Sequence, residues 1–224
     1  MNFDNADIIP LQTADSVDEP KRAKRADALA NRALILNTAQ QLFTKHGVAN
    51  ICMAAIAEAA DVGKGTLYRS FANKGELCLA LMDEDMRAFQ NKTLQMFREQ
   101  HNQPALAKLD IFLDSLVKFM DFHAPLLCEA QNQGTLRNIH PPEEASPHLW
   151  LSWLHETIGL LLQQAEEQGH AQNLDIPYLV DAVLAPLNAD LFIYQRTVLD
   201  FELERISRGL RRLVLAGLKR QYEP

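Results

Sequence analysis

Residues 53–71 read MAAIAEAADVGKGTLYRSF, and the fold is decided in this stretch. Ile56, Ala57 and Ala60 recur at helical spacing, Asp61-Val62-Gly63 interrupts them, and Leu67 and Phe71 resume an apolar face four residues apart. The pattern predicts two short helices joined by a tight turn, a helix-turn-helix. Its second helix keeps Lys64, Thr66, Tyr68, Arg69 and Ser70 off the apolar face. A helix that turns small polar and basic side chains outward suits a major groove, where side chains reach base edges and neighbouring groups hold phosphates.

Upstream, Leu29, Ala33, Leu36, Ala39, Leu42 and Phe43 predict a first helix over 27–46, with Gly47 as its stop. Downstream, Asn73 and Glu76 have capping-box spacing, and Leu77, Leu81, Met82, Met86 and Phe89 carry a fourth helix to about Glu99. Beyond Pro104 the pattern stays helical, predicting segments over 104–122, 125–139, 146–168, 175–197 and 202–221. Pro125, Pro141-Pro142, Gly169 and a link near Asp200 separate them, and Pro186 should kink the fourth by displacing the bond to Ala182. The expected class is all-α with about nine helices. Its parts are a disordered tail over 1–25, a three-helix reading domain over 26–75 and a helical body over 76–224.

The formal charge of −7 suits a nucleic-acid partner only once it is divided along the chain. Residues 1–19 hold five acidic and no basic side chains, 20–75 nine basic and three acidic, and the remainder thirteen basic and twenty-one acidic. A basic module on an acidic body concentrates the attractive potential in one place. The run Lys21, Arg22, Lys24 and Arg25 either is a solvated segment or meets phosphates and a minor groove. No apolar run reaches the roughly 18 residues of a membrane span, and no secretory signal opens the chain, so a cytoplasmic location is expected. Cys52, Cys78 and Cys128 are widely spaced and odd in number, which favours reduced thiols.

From Arg32 to Leu77 the chain resembles the N-terminal domain of the tetracycline-repressor (TetR) family of bacterial transcription regulators. The residues that carry the resemblance are Leu42-Phe43 and Gly47, then Ile56-Ala57, Ala60, Val62, Lys64-Gly65-Thr66-Leu67-Tyr68 and Phe71, then Lys74 and Leu77. It implies that Thr66, Tyr68 and Lys74 contact phosphates and that Lys64, Gly65 and Arg69 face the groove, with Leu67, Ser70 and Cys52 in the same interface. The sequence departs from the family pattern at Ile51-Cys52, Asp61, Gly63 and Ser70. Cys52 should cap its helix poorly, a loss of up to about 1 kcal/mol. A thiol there, at a helix N-terminus, should also have a lowered pKa and be open to oxidation.

The resemblance further implies a homodimer, a double-stranded operator and a small-molecule effector, without a cofactor or metal. The dimer candidates are Val183, Leu187 and Leu191 with Ile206, Leu210, Leu213, Val214, Gly217 and Leu218. These stripes either close a twofold four-helix interface or fill the chain's own core. Phe112, Phe119, Phe122, His123, Gln131, Trp150, Trp153 and His155 mix rings with isolated polar groups, as a ligand cavity does, although some are equally ordinary core. Three other readings compete: an enzyme with Cys128 as nucleophile and His123 or His155 as base, a metal site of His123, Cys128 and His140, and a helical interaction module without DNA binding.

Overall fold

The computed structural model describes residues 19–135 and 149–219. The helices are α1 (Glu19–His46), α2 (Met53–Ala59), α3 (Lys64–Ser70), α4 (Lys74–Glu99), α5 (Ala105–Asn132), α6 (Leu149–Glu167), α7 (Ile176–Leu184), α8 (Ala189–Thr197) and α9 (Leu203–Lys219). A 3-10 turn, Ala185–Leu187, joins α7 to α8, and no strand occurs among the described residues. No single helix among them is long and apolar enough to cross a membrane.

Two apolar clusters organise these elements. Ile35, Ala39 and Phe43 of α1 pack with Met53, Ile56, Ala57 and Ala60, with Leu67 and Phe71, and with Leu77 and Cys78 at the start of α4. The larger cluster surrounds α5, whose Leu109, Phe112, Leu113 and Val117 are wholly buried against α4, α6, α8 and α9. Helix α4 serves both, since Leu77 and Cys78 join the first cluster and the adjacent Leu79, with Met82 a turn further on, joins the second.

The helix ends follow the local chemistry. Asn73 accepts a hydrogen bond from the Glu76 backbone N–H at 2.9 Å, and the Glu76 carboxylate reaches back to the Ala72 N–H at 2.8 Å. The reciprocal cap therefore forms, with its return arm one residue further back than the usual box. Asp61 takes φ 51°, the left-handed conformation that the α2–α3 turn requires. Gly63 caps α3, and Cys52 caps α2 without a side-chain hydrogen bond.

Three expectations are corrected. The tail does not extend to residue 25, because α1 already begins at Glu19. Lys, Arg and Ala propagate a helix cheaply once it is nucleated, and Pro20 lies in the first turn, where its missing N–H costs nothing. Pro125 does not end a helix but lies inside α5, with its ring exposed. Met120, His123, Ala124, Leu127 and Ala130 are buried on either side of it, and their packing offsets the lost backbone bond. Pro186, expected to kink one helix, stands in the 3-10 turn that splits it in two. Asn188 restarts the chain as the cap of α8, accepting from the N–H groups of Asp190 and Leu191 at 3.1 and 3.4 Å. The expected segment 125–139 ends early at Asn132, and residues 136–148, including His140 and Pro141-Pro142, lie outside the described part.

Candidate nucleic-acid interface and ligand cavity

Only Leu67 of α3 is buried. Lys64, Gly65, Tyr68 and Arg69 are exposed, and Thr66 and Ser70 are half-buried. A Cβ added at Gly63 or Gly65 would meet nothing within 4 Å, so the first turn of α3 is open to close approach by another molecule. The helix is held from behind by a residue the sequence reading did not single out. Arg32 of α1 donates to the Ser70 carbonyl at 2.9 Å, and its guanidinium lies 4.2 Å from the centroid of the Phe71 ring. Arg32 thus satisfies an open carbonyl at the end of α3 while its cation stacks on the core aromatic beneath. Its place at the start of the motif-bearing stretch was the available signal.

Two of the expected DNA contacts are placed elsewhere. Leu67 has no exposed surface and anchors α3 to the first cluster. Lys74 is buried, with its amino group 3.2 Å from the Glu129 carboxylate of α5 and 5.8 Å from the Phe43 ring centroid. A cation at the first residue of a helix opposes the helix dipole, and a carboxylate brought in by tertiary packing compensates for it. Cys52 and Arg25 are exposed. Lys21, Arg22 and Lys24 belong to α1, but their side chains lie outside the described part.

The three thiols are set apart by their surroundings. Backbone N–H groups at the start of α2, that of Ala55 foremost, hold the Cys52 thiol below its ordinary range. Burial, aided by the Asp190 carboxylate, pushes Cys128 up to about 11, and burial pushes Cys78 up to about 12. Cys128 is therefore a protonated donor at neutral pH, the opposite of an activated nucleophile. Burial also lowers the pKa of His123, against the opposing pull of Asp85 at 3.5 Å. Iodoacetamide at neutral pH is expected to label Cys52 first, Cys128 far more slowly and Cys78 only on unfolding. Time-resolved peptide mass spectrometry reads the order, and equal rates at Cys52 and Cys128 would contradict it.

A cavity of about 580 Å³ lies between α5, α6, α7, the 3-10 turn and α8. Of the eight residues expected to line it, Gln131, Trp150 and His155 do. The others are corrected. Phe112 is wholly buried in the core, Phe119 and Trp153 pack against Phe89, His123 is buried among Phe119 and Phe122, and Phe122 is 76% exposed. Helical spacing marks a face as apolar or polar but not which neighbour that face meets. Asp181, Asn188 and Asp190 were missed, because the break at Pro186 that turns them toward the cavity is a tertiary event. Among the described residues, no cluster of three or more His, Cys, Asp or Glu side chains could hold a metal ion.

The stripes on the last helices divide between core and surface. Val183, Leu187, Leu210 and Leu218 are buried within the chain, so they do not present contact area, while Ile206 and Val214 are half-buried. Leu191, Leu213 and Gly217 are exposed. Tyr194, Val198 and Leu199 are exposed as well, by 47, 65 and 41%.

A small three-helix head that presents α3 outward, on a helical body that carries an open cavity, defines a helix-turn-helix protein of two-part build. Residues 35–81 match the family described as bacterial regulatory proteins, tetR family. An HTH-type transcriptional regulator of Staphylococcus aureus is 35% identical over 114 residues, which cover 50% of this chain and 60% of that relative. The match therefore spans little more than half of the relative's length. Among solved structures, Thermus thermophilus FadR in complex with lauroyl-CoA is similar in fold, with a TM-score of 0.62 and 17% identity over 86% of this chain and 97% of that one. AibR in complex with isovaleryl coenzyme A and operator DNA aligns with a TM-score of 0.54 and 21% identity, over 82% of this chain and 97% of that one.

Proposed function

We propose that the chain is a ligand-responsive DNA-binding transcriptional regulator. It acts as a repressor that binds a near-palindromic operator as a homodimer in the cytoplasm, and a small molecule releases it. Residues 26–75 form the reading head and 76–224 the effector and dimerisation body. The observation that carries this reading is α3 itself, with one buried residue and Lys64, Tyr68 and Arg69 turned to solvent. Two heads per dimer double the discrimination of one short helix, with half-sites about one DNA turn (~34 Å) apart or modestly more. The exposed apolar side chains of α8 and α9, Leu191, Tyr194 and Leu213 among them, supply the homodimer surface, which Gly209 and Gly217 leave open to close approach.

The cavity is the effector site. Solved relatives of the same fold carry acyl-coenzyme A ligands, and one of them carries operator DNA as well. In this chain the end of α5 connects the cavity to the head. Gln131 lines the cavity, Glu129 holds Lys74, and Thr135 donates to Asn73 at 3.2 Å. A Cβ at Gly75 would run into the Thr135 hydroxyl, so α4 and the turn that follows α5 are in close contact there. A ligand that moves α5 therefore moves α4, and coupling of about 1–3 kcal/mol changes operator occupancy about 5- to 150-fold.

Selection of a duplex from random DNA, followed by titration across salt concentrations, tests the proposal. Arg69→Ala is expected to weaken binding by about 1–3 kcal/mol and to relax base preference. Affinity of the unmodified protein should fall steeply with salt. An Arg69→Ala protein that binds the selected duplex as the parent does, or a parent that selects no duplex, contradicts it.

A further inference from the structure

The cavity's charge points to the class of effector it takes. We infer that it binds a protonated amine carried on an aromatic or aliphatic body with a hydrogen-bond acceptor, rather than an anionic ligand. The inference rests on the reading of the cavity as the effector site and adds the chemistry of the ligand.

Its walls are apolar along Leu116, Met120, Leu127, Leu151 and Leu154. That is surface for the body of a ligand, and its volume of about 580 Å³ is within the range of small-molecule sites. At one end stands Asp190, and its carboxylate is held in place. Gln131 donates to one oxygen at 2.6 Å and the Cys128 thiol to the other at 3.0 Å, while Asn188 donates to the Gln131 carbonyl at 3.1 Å. Cys128 stays protonated, so the network delivers hydrogen bonds but no positive charge. Asp181 is on the rim, 3.7 Å from His155. No Lys or Arg lines the cavity among the described residues.

Two carboxylates facing one cavity, with no Lys or Arg among its described lining residues, favour a ligand that brings the positive charge, and they repel a carboxylate or phosphate. A preorganised carboxylate also loses little freedom when an ammonium binds to it. The acceptor requirement comes from a separate observation. The indole N–H of Trp150, a lining residue, is buried and has no hydrogen-bond partner among the described residues. A buried donor left unpaired is costly, and a ligand oxygen beside the ring relieves it.

Propranolol and 1-naphthyloxyacetate make a matched pair of probes, since both carry a naphthyl ether and they differ in charge. Isothermal titration of the whole protein without DNA is expected to give at least tenfold tighter binding for the amine. Asp190→Asn with Asp181→Asn should abolish the preference, and Asp181→Asn by itself, at an exposed position, should reduce it. Tighter binding of the carboxylate, binding of neither probe, or an unchanged preference in the double variant would overturn the inference. Duplex binding by the same samples separates the two readings. A protein that grips its selected duplex yet ignores the amine defeats only this inference, whereas one that binds the amine and no duplex defeats the regulator.

Discussion

Lys74→Met is expected to destabilise the protein by about 3–5 kcal/mol, and adding Glu129→Leu should restore most of that loss. The side chains of the pair are 9 and 14% exposed, so removal of the lysine leaves a carboxylate with little water to solvate it. Replacing both charges with apolar groups of similar volume removes the stranded ion, and such exchanges are often neutral. Urea unfolding of the two single variants and the double variant measures the coupling directly. A single variant within about 1 kcal/mol of the parent would show that the pair is solvated after all. The double variant also decides what Lys74 does on DNA. A phosphate contact would lower the salt slope by about one when lost, whereas the buried pair leaves the slope where it was.

Phe112→Ala should cost about 3–5 kcal/mol, the loss expected for a large aromatic removed from a close-packed interior. Its ring has no exposed surface and meets Phe89 at 6.0 Å, Phe97 at 6.3 Å and Trp153 at 6.0 Å between centroids. These rings tie α4 and α6 to α5, so the cavity left behind opens the body at its centre. At about 2–4 °C per kcal/mol for a chain of this size, the melting temperature falls by roughly 6–20 °C. Phe122→Ala, ten residues on along the same helix, should change stability by no more than about 0.5 kcal/mol, because that ring is 76% exposed. Thermal melts of the two variants, with the fluorescence of Trp150 and Trp153 as a reporter on α6, read the contrast. Equal losses would mean that Phe122 is covered in solution.

The head was the more legible half of the molecule because its signals are local. Ile56, Ala60, Leu67 and Phe71 are close in sequence and pack into one small cluster, so their spacing already describes the contact they make. The turn at Asp61 and the cap at Asn73 depend on two or three neighbouring residues. The candidate cavity was less legible for the converse reason. Phe112 and Trp150 look alike as aromatics on amphipathic helices, yet one is in the aromatic core and the other lines the cavity. That choice depends on how α5 and α6 are rotated against their neighbours, which depends on all the helices together.

Helical class, the helix-turn-helix and its outward basic residues were determined by the sequence by itself, because periodicity, turn chemistry and capping act within a few residues. The tertiary structure alone decided that Lys74 meets Glu129 rather than solvent, that α5 runs through Pro125, and that Asp190 faces the cavity. It also decided which side of α9 remains exposed. The physical reason is common to all four. A backbone preference is a local energy, whereas the burial of a charge, the tolerance of a proline and the use of an apolar face depend on what distant segments bring against them.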